Sequence, residues 1–209
     1  MKDALHNLIT SANAKLEERL VRAKGAMETH AERRVIVQTT DAFLVNASRH
    51  TAAICDLVLP AVRAHVPEGR ALVHRYVVQC KRSERAIIKT KQRMYGEARS
   101  AGAPWAVVWS NLVNEVRALH VIEQEMMSGL SNASEFRQRD AVVDGFEFAA
   151  DHSPTRPHPN SPHTGLFAHA SRRMWLSADR FWDAAEGRIV WDGPRVETTE
   201  EPDAPNVAA

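Results

Sequence analysis

The chain has 209 residues, a formal net charge of +1, 44% hydrophobic residues and 25% charged residues. That is long enough for one domain with a real core plus appendages, and its composition is ordinary for a soluble protein. The balanced charge excludes a globally basic nucleic-acid or anionic-membrane binder, and the apolar runs are too short to span a bilayer.

Residues 1–36 read as a polar helix with a narrow apolar stripe, Leu5, Ile9, Ala12 and Leu16. A stripe of that width suits a helix laid against a bundle, one paired with another copy, or a loosely docked arm. The segment lacks the apolar core of a signal peptide, so a cytoplasmic location is expected. There Cys55 and Cys80 are expected to be reduced, packed as small apolar side chains.

Residues 37–152 carry four further helical patterns. Thr40-Asp41 has the chemistry of a helix start, a capping residue followed by an acid. The helix DAFLVNASRHTAAICDLVLPAVRAH contains Pro60, which removes a backbone hydrogen bond and clashes one turn back. A kink near Asp56–Pro60 is expected. Pro67-Glu68-Gly69 is a tight turn into the second helix, Arg70 to about Ala98. Lys81, Arg82, Arg85, Lys89 and Arg93 give that helix a basic outer face. No aromatic residues are interleaved to stack bases, so a solvated face is favoured over nucleic acid. Pro104 opens the third helix, PWAVVWSNLVNEVRALHVIEQEMMSGL, and Gly129 reads as its terminator. Asn132 and Glu135 have capping-box spacing ahead of a shorter fourth helix, ASEFRQRDAVVDGFEFAADH.

Residues 153–191 begin with SPTRPHPNSPHTG, which holds four of the ten prolines and cannot be a helix or a central strand. His158 and His163 in it are expected to be solvated. A last helix with an aromatic face, Trp175, Ala178, Phe181 and Trp182, is expected to end at Gly187. Residues 192–209 are acidic and proline-rich and read as disordered. No strand pattern or internal repeat is present. The fold expected is therefore all-α: an antiparallel up-and-down four-helix bundle with an extra N-terminal helix and a C-terminal helix after the proline-rich loop.

Polar residues interrupt three of these apolar stripes. His50 falls between Ala47 and Ile54, Glu84 between Cys80 and Ile87, and His120 with Glu123 between Val116 and Met126. Burying such groups costs free energy unless they are paired or bind a metal. Short turns make neighbouring helices antiparallel, so levels can be counted from the turns. His50 and Glu84 lie fifteen and sixteen residues from their shared turn; Glu84 and His120 lie fourteen and sixteen from the next. At about 1.5 Å per residue the mismatch is a few Å. His50, Glu84, His120 and Glu123 are thus expected at one level, joined from the fourth helix by one of Asp140, Asp144 and Glu147. Such a set fits iron, manganese or zinc, or a buried ion-pair cluster in which a histidine bonds Glu84. By the same counting Cys55 and Cys80 lie at similar height, one layer nearer the first turn. A disulfide between them on oxidation needs Cα atoms within about 7 Å.

From Asp41 to about Leu130 the sequence resembles the hemerythrin-like (HHE cation-binding) family. The resemblance is carried by DAFLVNASRH leading into LVLPAV, and by ALHVIEQEMM. It implies an antiparallel four-helix bundle and a non-haem di-iron centre held by histidines and carboxylates. It maps ligand positions onto His50, Glu84 and His120. Cys80 stands where the family commonly has a histidine four residues before the glutamate. Gln124 stands where another ligand is often found, flanked by Glu123 and Glu125. These departures imply fewer metal bonds: one ion rather than two, or none. His74, about 15 Å from Glu84 along the helix, is too far to substitute.

Two functional classes follow. One is a non-haem iron protein that binds or senses dioxygen, peroxide or nitric oxide. The other is a metal-free helical bundle that works by binding a protein partner or a second copy of itself. Phosphate-loop, dinucleotide and nucleophile-elbow motifs (GxxxxGK, GxGxxG, GxSxG) are absent.

Overall fold

The computed structural model describes residues 4–96, 102–133, 136, 139–165, 168, 170, 171 and 174–179. Among them the structure is all-helical and has no strand. Up to residue 151 the helices of the described residues are, in order, α1 (Ala4–Glu28), α2 (Arg33–Ala53), α3 (Leu59–His65), α4 (Gly69–Met94), α5 (Trp105–Asn132) and α6 (Arg139–Asp151). No helix among the described residues is long and apolar enough to cross a membrane.

The long pattern at the N-terminus breaks at His30, whose φ of 51° is left-handed. The chain restarts as a helix at Arg33, earlier than the Thr40-Asp41 start read from the sequence. Thr40 is inside α2 and buried, so its capping chemistry is unused. Between α2 and α3 the helix widens into a π-helical segment, Ile54–Val58. Pro60 explains it. Its nitrogen cannot donate to the carbonyl one turn back and its ring crowds that carbonyl, and a wider turn relieves both.

Two further expectations are corrected. Gly129 does not end α5, which continues to Asn132. A Cβ at Gly129 would come within 2.7 Å of Val66 Cγ1, so the glycine lets α5 approach the turn after α3. The next helix starts at Arg139 instead of just after Asn132. Glu135, Phe181, Trp182, Gly187 and the acidic tail lie outside the described residues.

α1 is part of the core. Leu5, Ile9, Leu16, Leu20 and Ala23 are each at most 4% exposed. The loosely docked arm is thereby excluded. At 25–30 cal/mol per Å² of apolar surface removed from water, five such side chains contribute several kcal/mol.

The apolar core falls into two clusters. One gathers Leu5 and Ile9 with Ile54, Val58, Tyr76, Cys80, Ile122, Met126 and Phe146. The other gathers Leu16 and Leu20 with Phe43, Leu44, Ile87, Leu112 and Val116. α1, α2, α4 and α5 each pass from one cluster to the other. The residues at the boundary are polar and buried: Asn13, His50, Ser83 and Glu123.

Candidate functional site

The boundary layer is built around one carboxylate. Glu123, on the inner face of α5, is 0% exposed. Its Oε2 accepts from His50 Nε2 of α2 at 3.1 Å, and its Oε1 accepts from the Tyr76 hydroxyl of α4 at 3.1 Å. The Asn13 amide of α1 stands beside it. His120, one turn earlier on α5, presents its ring edge-on to His50, centroids 6.3 Å apart. Phe146 of α6 closes the other side of the His50 ring at 5.7 Å. Residues from five helices thus meet around the His50–Glu123 pair. His50 Nδ1 is buried with no hydrogen-bond partner among the described residues.

The electrostatics follow from this packing. Burial pushes the Glu123 carboxyl up, but the charge and hydrogen bond of His50, aided by His120 and Asn13, outweigh it and hold the group below the usual carboxylate range. Burial pulls the His120 imidazole below its ordinary value. Burial first, and then the adjacent Glu123 charge, raise Tyr76 well above the ordinary phenol. At neutral pH the cluster therefore holds an ionised carboxylate, a neutral imidazole at His120 and a protonated tyrosine.

Glu84 does not join this group. Its Oε2 bonds His163 Nε2 at 2.9 Å, and Cys80 lies one turn away on the same face of α4. No three of His50, Glu84, His120 and Glu123 bring their ligand atoms within 4.8 Å of one another. The four-residue set read from the sequence is therefore split in two. The reason is the proline-rich segment, which docks against α2 and α4 and supplies Glu84 with a nearer partner. His163 is correspondingly buried, 8% exposed, and is not the solvated residue expected. His158 is half-buried, stacked on Trp175 with centroids 4.2 Å apart. Asp140, Asp144 and Glu147 are all exposed on α6 and reach neither group. The core position they were expected to supply is filled by Phe146.

Tyr76, Asn13 and His163 carry no warning in the sequence comparable to His50. Tyr76 does lie four and eight residues before Cys80 and Glu84, on one face of α4. Cys55 sits on the π-helical segment, hydrogen-bonded to the Cys80 thiol. That bond, then burial, then the Glu84 charge raise Cys80 well above the ordinary thiol range. Both cysteines are free and buried. At the surface, Arg75 pairs with Glu125 through two 2.9 Å bonds, which gives that acid a structural task.

Fold and site together define a class: an all-helical protein with an ionised carboxylate sealed at the centre of its core. Compared with family models, curated proteins and solved structures, the chain matches none of them.

Proposed function

We propose that this protein is a hemerythrin-like helical bundle in which two of the family's ligand positions, His50 and His120, have joined a core cluster around Glu123, while the third, Glu84, pairs with His163 instead. α1, α2 with α3, α4 and α5 then run alternately up and down, and α6 covers His50 from the side. The resemblance in DAFLVNASRH and ALHVIEQEMM supports the family. The passage of each long helix between the same two apolar clusters supports the topology.

Iron is the ion the resemblance implies, and the donor chemistry of His50, His120 and Glu123 is suitable: neutral imidazole and ionised carboxylate are the binding forms. The arrangement does not fit. Each Glu123 oxygen already accepts a bond from a protein donor, and the donor atoms do not converge on one point.

The function best supported is that of a helical interaction protein, and the single observation that carries it is that both Glu123 oxygens already accept from protein donors, His50 and Tyr76. What remains for binding is the outer surface. Arg82, Arg85 and Lys89 are exposed on α4 and suit an acidic protein partner in the cytoplasm. The second reading, a mononuclear iron protein that meets a small oxidant or nitric oxide, is favoured by the unpartnered His50 Nδ1.

Elemental analysis separates the two. Protein purified after growth with added iron should retain no stoichiometric iron, and His50→Ala should lower stability without changing metal content. Stoichiometric iron lost in both His50→Ala and His120→Ala would overturn the proposal and establish the second reading.

A further inference from the structure

We infer that Cys80, Glu84 and His163 form a binding site for a thiophilic divalent cation, zinc foremost, which clamps the proline-rich segment onto the bundle. The site is separate from the Glu123 cluster and uses none of its residues.

Three ligand-type atoms, a sulfur, a carboxylate oxygen and an imidazole nitrogen, all lie within 4.8 Å of one another. Across a tetrahedral zinc, with bonds of about 2.0–2.3 Å, donors are separated by about 3.3–3.8 Å. Small side-chain rotations close that difference. Cys80 and Glu84 are four residues apart on α4, so the helix presents both to the same side. His163 reaches them from the loop, next to Pro162. The prolines at 154, 157, 159 and 162 restrict the backbone there, which lowers the entropy lost when the histidine is held.

Charge supports a divalent ion. Cys80 is 0% exposed and the Glu84 side chain 13% exposed. Cys80 releases its proton to solvent as the ion binds, and the resulting thiolate with the Glu84 carboxylate carries two negative charges, which a 2+ ion neutralises. One thiolate, one carboxylate and one imidazole form a mixed soft and hard set that suits zinc better than calcium or magnesium. A fourth position is available. A cavity of about 40 Å³ is lined by Glu84, His163, Cys55 and Thr51, and it has room for water or a small exogenous ligand.

Binding there would couple to the C-terminal region. Trp175 Nε1 donates to Ser161 Oγ at 2.9 Å, two residues from His163. Arg156 donates its backbone N–H to Asp179 Oδ2 at 2.9 Å. An ion on His163 therefore holds this segment against α4 and, through these bonds, the helical residues 174–179.

The test is competition of the full, reduced chain with a chromophoric chelator for zinc, with limited proteolysis of the 153–165 segment as the second readout. One zinc per chain is expected, with slower cleavage when zinc is present. Cys80→Ala, Glu84→Gln and His163→Phe should each weaken binding roughly tenfold or more. His163→Cys, which keeps a zinc donor, should retain most of it. His120→Ala should leave zinc affinity unchanged. His163 lies outside the helices, so its variants remain informative if Cys80→Ala unfolds. No stoichiometric zinc in the wild type, or unchanged affinity in His163→Phe, would overturn the inference. Zinc loss in His120→Ala would place the ion at the Glu123 cluster, which also overturns it.

Discussion

His50 and Glu123, seventy-three residues apart, meet through a 3.1 Å hydrogen bond at the centre of the molecule, where neither is more than 5% exposed. The bond joins α2 to α5 across a boundary that is otherwise closed by apolar packing. Removing a donor to a buried carboxylate costs more than the bond contributes, because the carboxylate stays dehydrated. His50→Ala should therefore destabilise the protein by about 2–4 kcal/mol, from the lost bond to a charged group and the cavity left behind. Tyr76→Phe removes a single donor to the same carboxylate and should cost about 1–3 kcal/mol. Urea denaturation followed by circular dichroism gives both values. Losses below about 1 kcal/mol in each would mean that the Glu123 charge is not held by these residues.

The pair also makes a non-additive prediction. Replacing both partners by apolar residues of similar volume leaves no orphaned charge. The double variant His50→Leu with Glu123→Leu should be more stable than His50→Ala alone, although it changes more atoms. Tyr76 keeps its hydroxyl in that background and loses its acceptor, so adding Tyr76→Phe should recover further stability. A double variant less stable than either single change would refute this and show a role for the pair beyond local satisfaction.

Backbone geometry sets a second, independent contrast. Gly69 opens α4 directly after Glu68, whose φ is 56°. A Cβ on Gly69 would collide with the Val62 carbonyl of α3, and the obstacle is backbone, which cannot rotate away. Gly69→Ala should cost at least about 2 kcal/mol, as overpacking of a tight site does. Gly25 lies inside α1, and a methyl group there would meet nothing within 4 Å. Gly25→Ala should stabilise by about 0.5–1 kcal/mol through helix propensity and loss of unfolded-state entropy. Thermal melts of the two variants should move in opposite directions.

The helices were legible because their apolar residues recur at 3.6-residue spacing, a local signal. His50, His120 and Glu123 stood out because each interrupts that spacing. Tyr76 did not, since a large aromatic in an apolar stripe reads as core, and here it is core with its hydroxyl turned onto Glu123. Asn13 was hidden for the opposite reason: in a helix as polar as α1 one more amide is unremarkable in sequence, although it is buried. The pairing of Glu84 with His163 was not legible at all. It depends on where an irregular proline-rich segment docks, and irregular segments carry no period from which a level can be counted. Counting residues from the turns gives only a height along the axis, and height does not specify which neighbour a side chain faces.

The place of α1 in the core yields a further test. Ile9 is 0% exposed and packs in the cluster that includes Ile54, Tyr76 and Met126. Ile9→Ala should cost about 2–5 kcal/mol, the range for a large core residue reduced to alanine. Val21, on the outer side of the same helix and 59% exposed, should tolerate alanine within about 0.5 kcal/mol. Equal melting temperatures for the two variants would mean that α1 is dispensable.

Acid should loosen the bundle in two stages, and the direction of each follows from proton uptake. Burial holds His120 below its ordinary value of 6.5 in the folded state, so the unfolded chain takes up that proton first as pH falls. Its stabilising contribution is complete above pH 6.5 and is lost as pH drops through the folded value. Glu123 is held below its ordinary 4.5 because His50 outweighs the opposing effect of burial. Its contribution is present above pH 4.5 and disappears as pH falls through its own folded value. Unfolding midpoints in urea, measured between about pH 8 and pH 3 at constant ionic strength, should decline in both windows. His120→Gln, which cannot titrate, should flatten the upper stage and leave the lower one. Glu123→Gln should flatten the lower stage. An upper stage of unchanged slope in His120→Gln would assign it to another group and remove His120 from the acid response.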